Sequence, residues 1–340
     1  MKYERANATT RTKWAIAVAV LIVAYCSLSA PQKGVAQDIH FSMPDVNPVL
    51  FNPAYSGFFE GKGRFGIAYR NQWATVTHPF QTLAASMEMS LIRRRYQHDG
   101  LNMGAVMYAD QEGTLRYGNN SATAMLSYFK AIGDRNLLSL GLQVGFGISG
   151  FDLSDARFGE DDDDIDQKSV HYPLWGAGIA WYFQSMETFV VKIGLAGYNL
   201  NRPNISYMGM DNVFLERRFN IYARSEYRGW PSVSVLPMAM AQWQKNYREV
   251  LVGSDVKWFL DESGARFLAF SGGLYYRVGD ALLATLSMDY NALVFAFSYD
   301  ANFSKLTPAS RSVGAFEMQV IYRLGGASRV KYKAIPCPII

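Results

Sequence analysis

The densest group of potential ligands in this chain is Glu160-Asp161-Asp162-Asp163-Asp164, followed by Asp166. Several carboxylate oxygens in one loop are the chemistry of a calcium site. EF-hand spacing fails here, because no glycine sits at the sixth position and no bidentate glutamate follows. The run reads as an acidic, solvated loop, and cation binding by residues 160–166 stays open. His40, His78, His98 and His171 are scattered, with no His-x-x-x-His or His-Glu-x-x-His spacing, so a zinc site has no support. A serine hydrolase needs a nucleophile with a histidine base in reach, and no Gly-x-Ser-x-Gly signature is present. Gly272-Gly273 and Gly176-x-Gly178 lack the helix that a phosphate-cradling loop requires. Their neighbours Tyr275, Tyr276, Trp181 and Tyr182 read as strand, so these glycines serve curvature or close packing against an aromatic. Cys337, between Pro336 and Pro338, reads as a free thiol in the tail. The expectation is a chain with no catalytic, cofactor or metal site, hence no enzyme.

The elements that carry these residues begin with an export signal. Lys2, Arg5, Arg11 and Lys13 precede an apolar run from Trp14 to about Cys26, and Gly34-Val35-Ala36 places small residues at a cleavage site. The run is nearer a dozen residues than the twenty or so of a membrane-spanning helix, which argues against an anchor. Tyr25 before Cys26 argues against a lipoprotein. Cleavage after Ala36 leaves Cys337 as the sole cysteine and excludes an internal disulfide. Aromatic residues make up 14% of the chain, with 21 Tyr and 21 Phe, and there are 29 glycines. Charged residues are only 18%, against roughly 25% in soluble domains. The net charge of +4 gives no case for nucleic acid. Exported, tyrosine-rich and charge-poor is the composition of a transmembrane β-barrel, with a soluble exported β-sandwich as the competing class.

Alternation with period two decides between them. In 313–324, Phe316, Met318, Val320, Tyr322 and Leu324 fall on one face and Glu317, Gln319, Ile321 and Arg323 on the other. In 64–73, Phe65, Ile67, Tyr69 and Trp73 oppose Arg64, Arg70 and Gln72. The same pattern recurs in 82–90, 249–259, 281–290 and 292–300. Each run is about ten residues, the length that spans a bilayer, whereas sandwich strands average five or six. Strands are expected at 63–72, 81–90, 101–110, 119–130, 136–148, 174–183, 188–198, 219–229, 233–245, 248–259, 266–278, 281–290, 292–300 and 313–324. That is an all-β, antiparallel transmembrane barrel of about 14 strands, with both termini in the periplasm. The periplasmic connections come out short, except 91–100, and the outer ones at 149–173, 199–218 and 301–312 long. Arg70, Glu88, Asp255, Lys257, Asp289, Asp300, Glu317 and Arg323 are expected to face the lumen and pair across strands. On this assignment Val320→Arg faces lipid and costs ~2–4 kcal/mol, whereas Gln319→Arg on the lumen face costs little.

Four segments follow: signal peptide 1–36, an extended periplasmic or lumenal arm 37–62, barrel 63–324 and a basic periplasmic tail 325–340. In the arm, Asn47-Pro48 and Asn52-Pro53 kink an extended chain, since proline fixes its own φ and pushes its predecessor out of the helical region. Phe41, Leu50, Phe51 and Tyr55 need burial. The arm could plug the lumen, dock on a periplasmic partner, or pack under the barrel floor. Arg329, Lys331 and Lys333 of the tail suit an acidic partner or anionic headgroups.

The opening block from Asp38 to Trp73 resembles the start of mature PorP/SprF-family proteins, outer-membrane components of the type IX secretion and gliding machinery of Bacteroidota. The likeness continues through Phe80-Gln81-Thr82, Gly141 to Gly145, and Phe151-Asp152-Leu153. It then runs through Gly176-x-Gly178-Ile179-Ala180-Trp181-Tyr182, Gly194-Leu195-Ala196, Asn199-Leu200-Asn201-x-Pro203, Tyr276-Arg277 and Ser298-Tyr299-Asp300. It ends at Ile335-Pro336-Cys337-Pro338, where Ile339-Ile340 replace the usual basic and aromatic pair. The resemblance implies a non-enzymatic outer-membrane barrel in contact with lipid, with the periplasmic ring of the machine, and with large adhesins or their C-terminal sorting domains. It marks Asn47, Pro48, Asn52, Pro53, Tyr69, Arg70, Asn71, Gln72, Trp73, Tyr299, Asp300, Pro336, Cys337 and Pro338 as structural or partner-contact residues. A passive porin-like channel shares the fold and stands as the alternative.

Overall fold

The computed structural model describes residues 41–59, 61–72, 79–94, 99–112, 117–151, 169–185, 188–207, 213–263, 266–303 and 313–325. The signal-peptide segment, Trp73, the acidic run 160–166 and the tail with Pro336, Cys337 and Pro338 lie outside them. Fourteen strands run in order: β1 (Gly63–Gln72), β2 (Phe80–Arg94), β3 (Asp99–Glu112), β4 (Tyr117–Ile132), β5 (Asn136–Gly150), β6 (Ser169–Ser185), β7 (Phe189–Tyr198), β8 (Arg218–Trp230), β9 (Val233–Gln244), β10 (Tyr247–Glu262), β11 (Phe267–Arg277), β12 (Ala281–Tyr290), β13 (Leu293–Asn302) and β14 (Val313–Leu324). Each pairs with the next, and β14 returns to β1 to close the barrel. The closing seam is antiparallel and unbroken from Gly63↔Leu324 to Gln72↔Ala315.

Alternation along these strands sorts an outward face from the lumen. Ile67, Met107, Leu142 and Leu286 point outward at 57, 60, 64 and 67% exposure. A soluble surface rarely carries a contiguous apolar patch beyond a few hundred Å². Here all around the wall strands contribute such residues, which only a lipid surround accommodates. Ten residues at about 3.3 Å each, tilted by about 40°, rise about 25 Å, the height of the apolar band of an outer-membrane barrel. Exposed aromatics mark both rims: Trp230, Trp258, Tyr290 and Tyr322 at one, Phe219, Trp243, Tyr276 and Phe303 at the other.

Connections are unequal. At the rim holding both ends of the barrel chain they cover 95–98, 133–135, 186–188, 231–232, 263–266 and 291–292. At the other rim 151–168, 199–217 and 303–312 are long. The connection expected over 91–100 is much shorter, because β2 runs on to Arg94 through an irregularity between Ser90 and Ile92. β6 likewise starts earlier than expected, at Ser169. β7 pairs with β6 only as far as Ala177↔Gly197, so the start of β6 stands beyond its neighbour. That bare edge is managed locally. Pro173 has no N–H to offer. The Asn201 amide donates to Pro173 O at 2.9 Å and accepts from the Trp175 N–H at 3.2 Å. This gives the Asn199-to-Pro203 segment a physical role: it blunts a strand end that would otherwise invite pairing.

Candidate functional site

The barrel interior is not empty. Residues 41–59 lie inside it, nearly all buried. Pro48 and Pro53 each open a short 3-10 turn, Pro48–Leu50 and Pro53–Tyr55. Proline suits a first helical position because its missing N–H is not needed there. The asparagine before each proline ties the turn to the wall. Asn52 Oδ1 accepts from the Ala54 N–H at 2.8 Å, capping its turn. Its Nδ2 reaches Ile179 O and Leu195 O, both at 3.1 Å, on β6 and β7. Asn47 Nδ2 donates to Ser86 Oγ on β2 at 2.8 Å. Gly57, at φ +88°, turns the chain back so that its N–H meets Glu88 at 3.1 Å. The arm thus crosses from one wall to the opposite wall and returns before β1 begins.

Its far end is held by a buried charge cluster. Arg70 on β1 lies 3.1 Å from Asp300 and 3.2 Å from Glu317. Arg277 on β11 lies 2.9 Å from Asp300 and 3.3 Å from Glu249. The Ser42 hydroxyl sits at the centre, accepting from Arg70 at 2.7 Å and Arg277 at 2.8 Å and donating to Asp300 at 3.3 Å. Two guanidinium groups face three buried carboxylates, with the more exposed Asp280 a fourth at 3.6 Å from Arg277, a surplus of negative charge. The backbone N–H groups of Ser42 and Met43 offset it by donating to Glu317 at 2.6 and 3.2 Å. Gln319 completes the contact, donating to Met43 O at 3.2 Å and Glu317 at 2.7 Å. Buried ions persist only when paired and hydrogen-bonded, so the arm is part of what makes this cluster tenable.

Further pairs line the same lumen: Arg64–Glu88 at 2.6 Å, Arg224 between Asp45 and Asp255 at 3.0 Å each, and Lys257 with Asp289. Burial lifts Asp45 above the usual carboxylate range, and Arg224 beside it opposes that shift. Burial also raises the Tyr55 phenol.

Among the described residues five wall glycines make room for the arm, Gly66 beside Asn47 and Gly104 beside Ser56 among them. A Cβ on Gly141 would collide with the Ala54 backbone, one on Gly178 with the Asn52 amide, and one on Gly194 with the Tyr55 hydroxyl. Of the strand glycines expected to serve curvature or close packing against an aromatic, Gly176 does stand against the Tyr198 ring, whereas what approaches Gly178 is the arm's asparagine, with Tyr55 over neighbouring Gly194. Gln319 is corrected too. It is fully buried beneath the arm, so an arginine there has no water-filled lumen to enter.

Of the residues marked from sequence, Asn47, Pro48, Asn52, Pro53, Arg70 and Asp300 come together in this interior. Tyr69 and Tyr299 do not; Tyr299 points outward at 46% exposure. Asn71 and Gln72 are half-buried at the end of β1, with Asn71 Nδ2 donating to the Tyr69 hydroxyl at 3.2 Å. Sequence reasoning missed Ser42, Arg277 and Glu249. A lone serine carries no pattern, but charges at Arg277 and Glu249 on alternating strands could have been added to the lumenal set. Among the described residues no cluster of His, Cys, Asp or Glu is placed to hold a metal ion.

The family described as "Type IX secretion system membrane protein PorP/SprF" matches residues 34–322. The chain belongs to the PorP/SprF family. No curated protein matches it. Among solved structures, it is similar to the "CymD monoaromatic hydrocarbon channel" at 10% identity and TM-score 0.49, over 88% of this chain and 96% of that one. It is also similar to a Pseudomonas aeruginosa FadL homologue at 10% identity and TM-score 0.47, over 81% and 93% of the two chains. At these values the likeness is one of barrel shape alone.

Proposed function

We propose that this PorP/SprF-family protein is a non-enzymatic outer-membrane component of the type IX secretion machinery that helps export or anchor large surface proteins such as adhesins. In this reading the barrel is a closed body and the exported polypeptide does not thread its lumen. The observation that carries it is the arm, whose end is locked at Ser42 and Met43 into the Arg70–Asp300–Arg277–Glu317 cluster. A mobile gate would leave three carboxylates and two guanidiniums poorly compensated each time it opened, a cost of several kcal/mol. Cargo and machine components then meet the barrel at its rims, with the short-turn rim and the tail facing the periplasm and the long connections facing outward.

Deleting the gene while measuring both surface adhesin and membrane conductance tests this. Loss of surface adhesin, with a purified protein that conducts little, is the expected result. A steady, solute-selective pore whose loss leaves surface adhesins intact would favour a passive channel instead.

A further inference from the structure

Between the arm and the short-turn rim lies a cavity of about 360 Å³, within the roughly 300–1,000 Å³ typical of ligand pockets. Phe58, Phe59 and Tyr55 of the arm form its floor. Its walls carry two cation pairs in direct cross-strand register: Arg64↔Arg323 at the β1–β14 seam and Lys192↔Arg224 between β7 and β8. Like charges directly opposite destabilise a sheet, so each pair needs an opposite charge. One member of each has it: Arg64 pairs with Glu88, and Arg224 with Asp45 and Asp255. The other member does not. Among the described residues Lys192 and Arg323 form no ion pair; Lys192 instead lies over the Tyr182 ring at 6.0 Å. Glu226, which lines the same cavity, is the leading opposite charge acting on Lys192, and Asp289, already paired with Lys257, is the one acting on Arg323. The remaining cations of the cavity are satisfied, Arg228 by Glu262 and Lys257 by Asp289.

We propose that this vestibule binds an acidic, extended segment of a partner polypeptide, with its carboxylates on Lys192 and Arg323 and its backbone over the aromatic floor. The two unpaired cations decide the ligand's shape. β7 and β14 are seven places apart in a ring of fourteen, so they stand on opposite walls. A ligand that touches both crosses the vestibule from wall to wall, which an extended chain gaining about 3.3 Å per residue does. The arm already shows the chemistry in miniature, with its own Asp45 carboxylate seated on Arg224 at 3.0 Å. The proposal does not depend on which surface protein is exported, and a conductance result against the closed barrel leaves it standing.

The test uses the membrane-extracted protein in detergent and a fluorescent octapeptide of alternating Glu and Ala, followed by anisotropy at low and high salt. Saturable binding that salt weakens and that Lys192→Gln with Arg323→Gln reduces by about tenfold or more is expected. The same peptide with Gln for Glu should not saturate. Both substitutions lie in the barrel wall, so heat-modifiability confirms that the variant is folded. As a second handle, Lys192→Arg should retain binding. No saturation, or binding unchanged in the folded double variant, overturns the proposal. Inorganic phosphate binding with the peptide excluded would mean a small-anion site and overturns it equally.

Discussion

Ser42 is a small neutral residue whose position makes it more consequential than most charges in the barrel. Its hydroxyl receives two guanidinium N–H groups, and its backbone N–H meets Glu317. Arg70 depends on that arrangement and supports it. Arg70→Met should leave Asp300 and Glu317 short of a buried cation and cost ~3–5 kcal/mol, read as a shift in the urea midpoint of the heat-modifiable form. An unchanged midpoint would mean the cluster is wetter than its burial suggests. Position 320 faces out and 319 faces in, but both should now be intolerant for different reasons. Val320→Arg places a charge against lipid, at ~2–4 kcal/mol. Gln319→Arg overpacks a filled interior, at ~1–3 kcal/mol. If Gln319→Arg refolds with no loss while Val320→Arg does not, the lumen beside β14 is not occupied by the arm.

At the scale of elements, the arm and the wall fit each other through glycines. Gly178→Ala should push Asn52 off β6 in a barrel that stays heat-modifiable, since the added methyl would collide with Asn52 Oδ1 and stand 3.2 Å from Leu195 O of β7. Limited proteolysis should then cut within 41–59 in the variant and not in the wild type. Equal protection in both would contradict the cradle. Strands were the most legible elements. Their period-two runs placed β1, β12 and β14 at their observed bounds, because alternation between lipid and lumen leaves a direct mark on residue type. The β2–β3 connection was not legible, because Arg93, Arg94 and Arg95 break the alternation although β2 continues to Arg94. The arm's destination was also not legible. Its prolines and asparagines announced kinks and caps, but its bonds run to backbone carbonyls such as Ile179 O and Leu195 O, which every sequence has. Nor does a glycine in a strand state whether it permits curvature or a neighbour's approach.

For the whole molecule, the proposed secretion role rests on a closed wall and a lumen occupied by the arm. The two ends of the described barrel chain, Lys62 and Gly325, meet at the short-turn rim, where Lys62 N donates to Leu324 O at 2.7 Å. Deleting 327–340 should leave a heat-modifiable, inserted barrel that no longer co-purifies with the periplasmic ring of the machine. Undiminished co-purification would move the docking element elsewhere. The central claim, that the arm closes the lumen, is tested most directly by planar-bilayer recordings of the wild type beside a variant lacking residues 41–59. A silent wild type and a steadily open deletion variant are predicted. A steady open pore in the wild type, unchanged by the deletion, would contradict it.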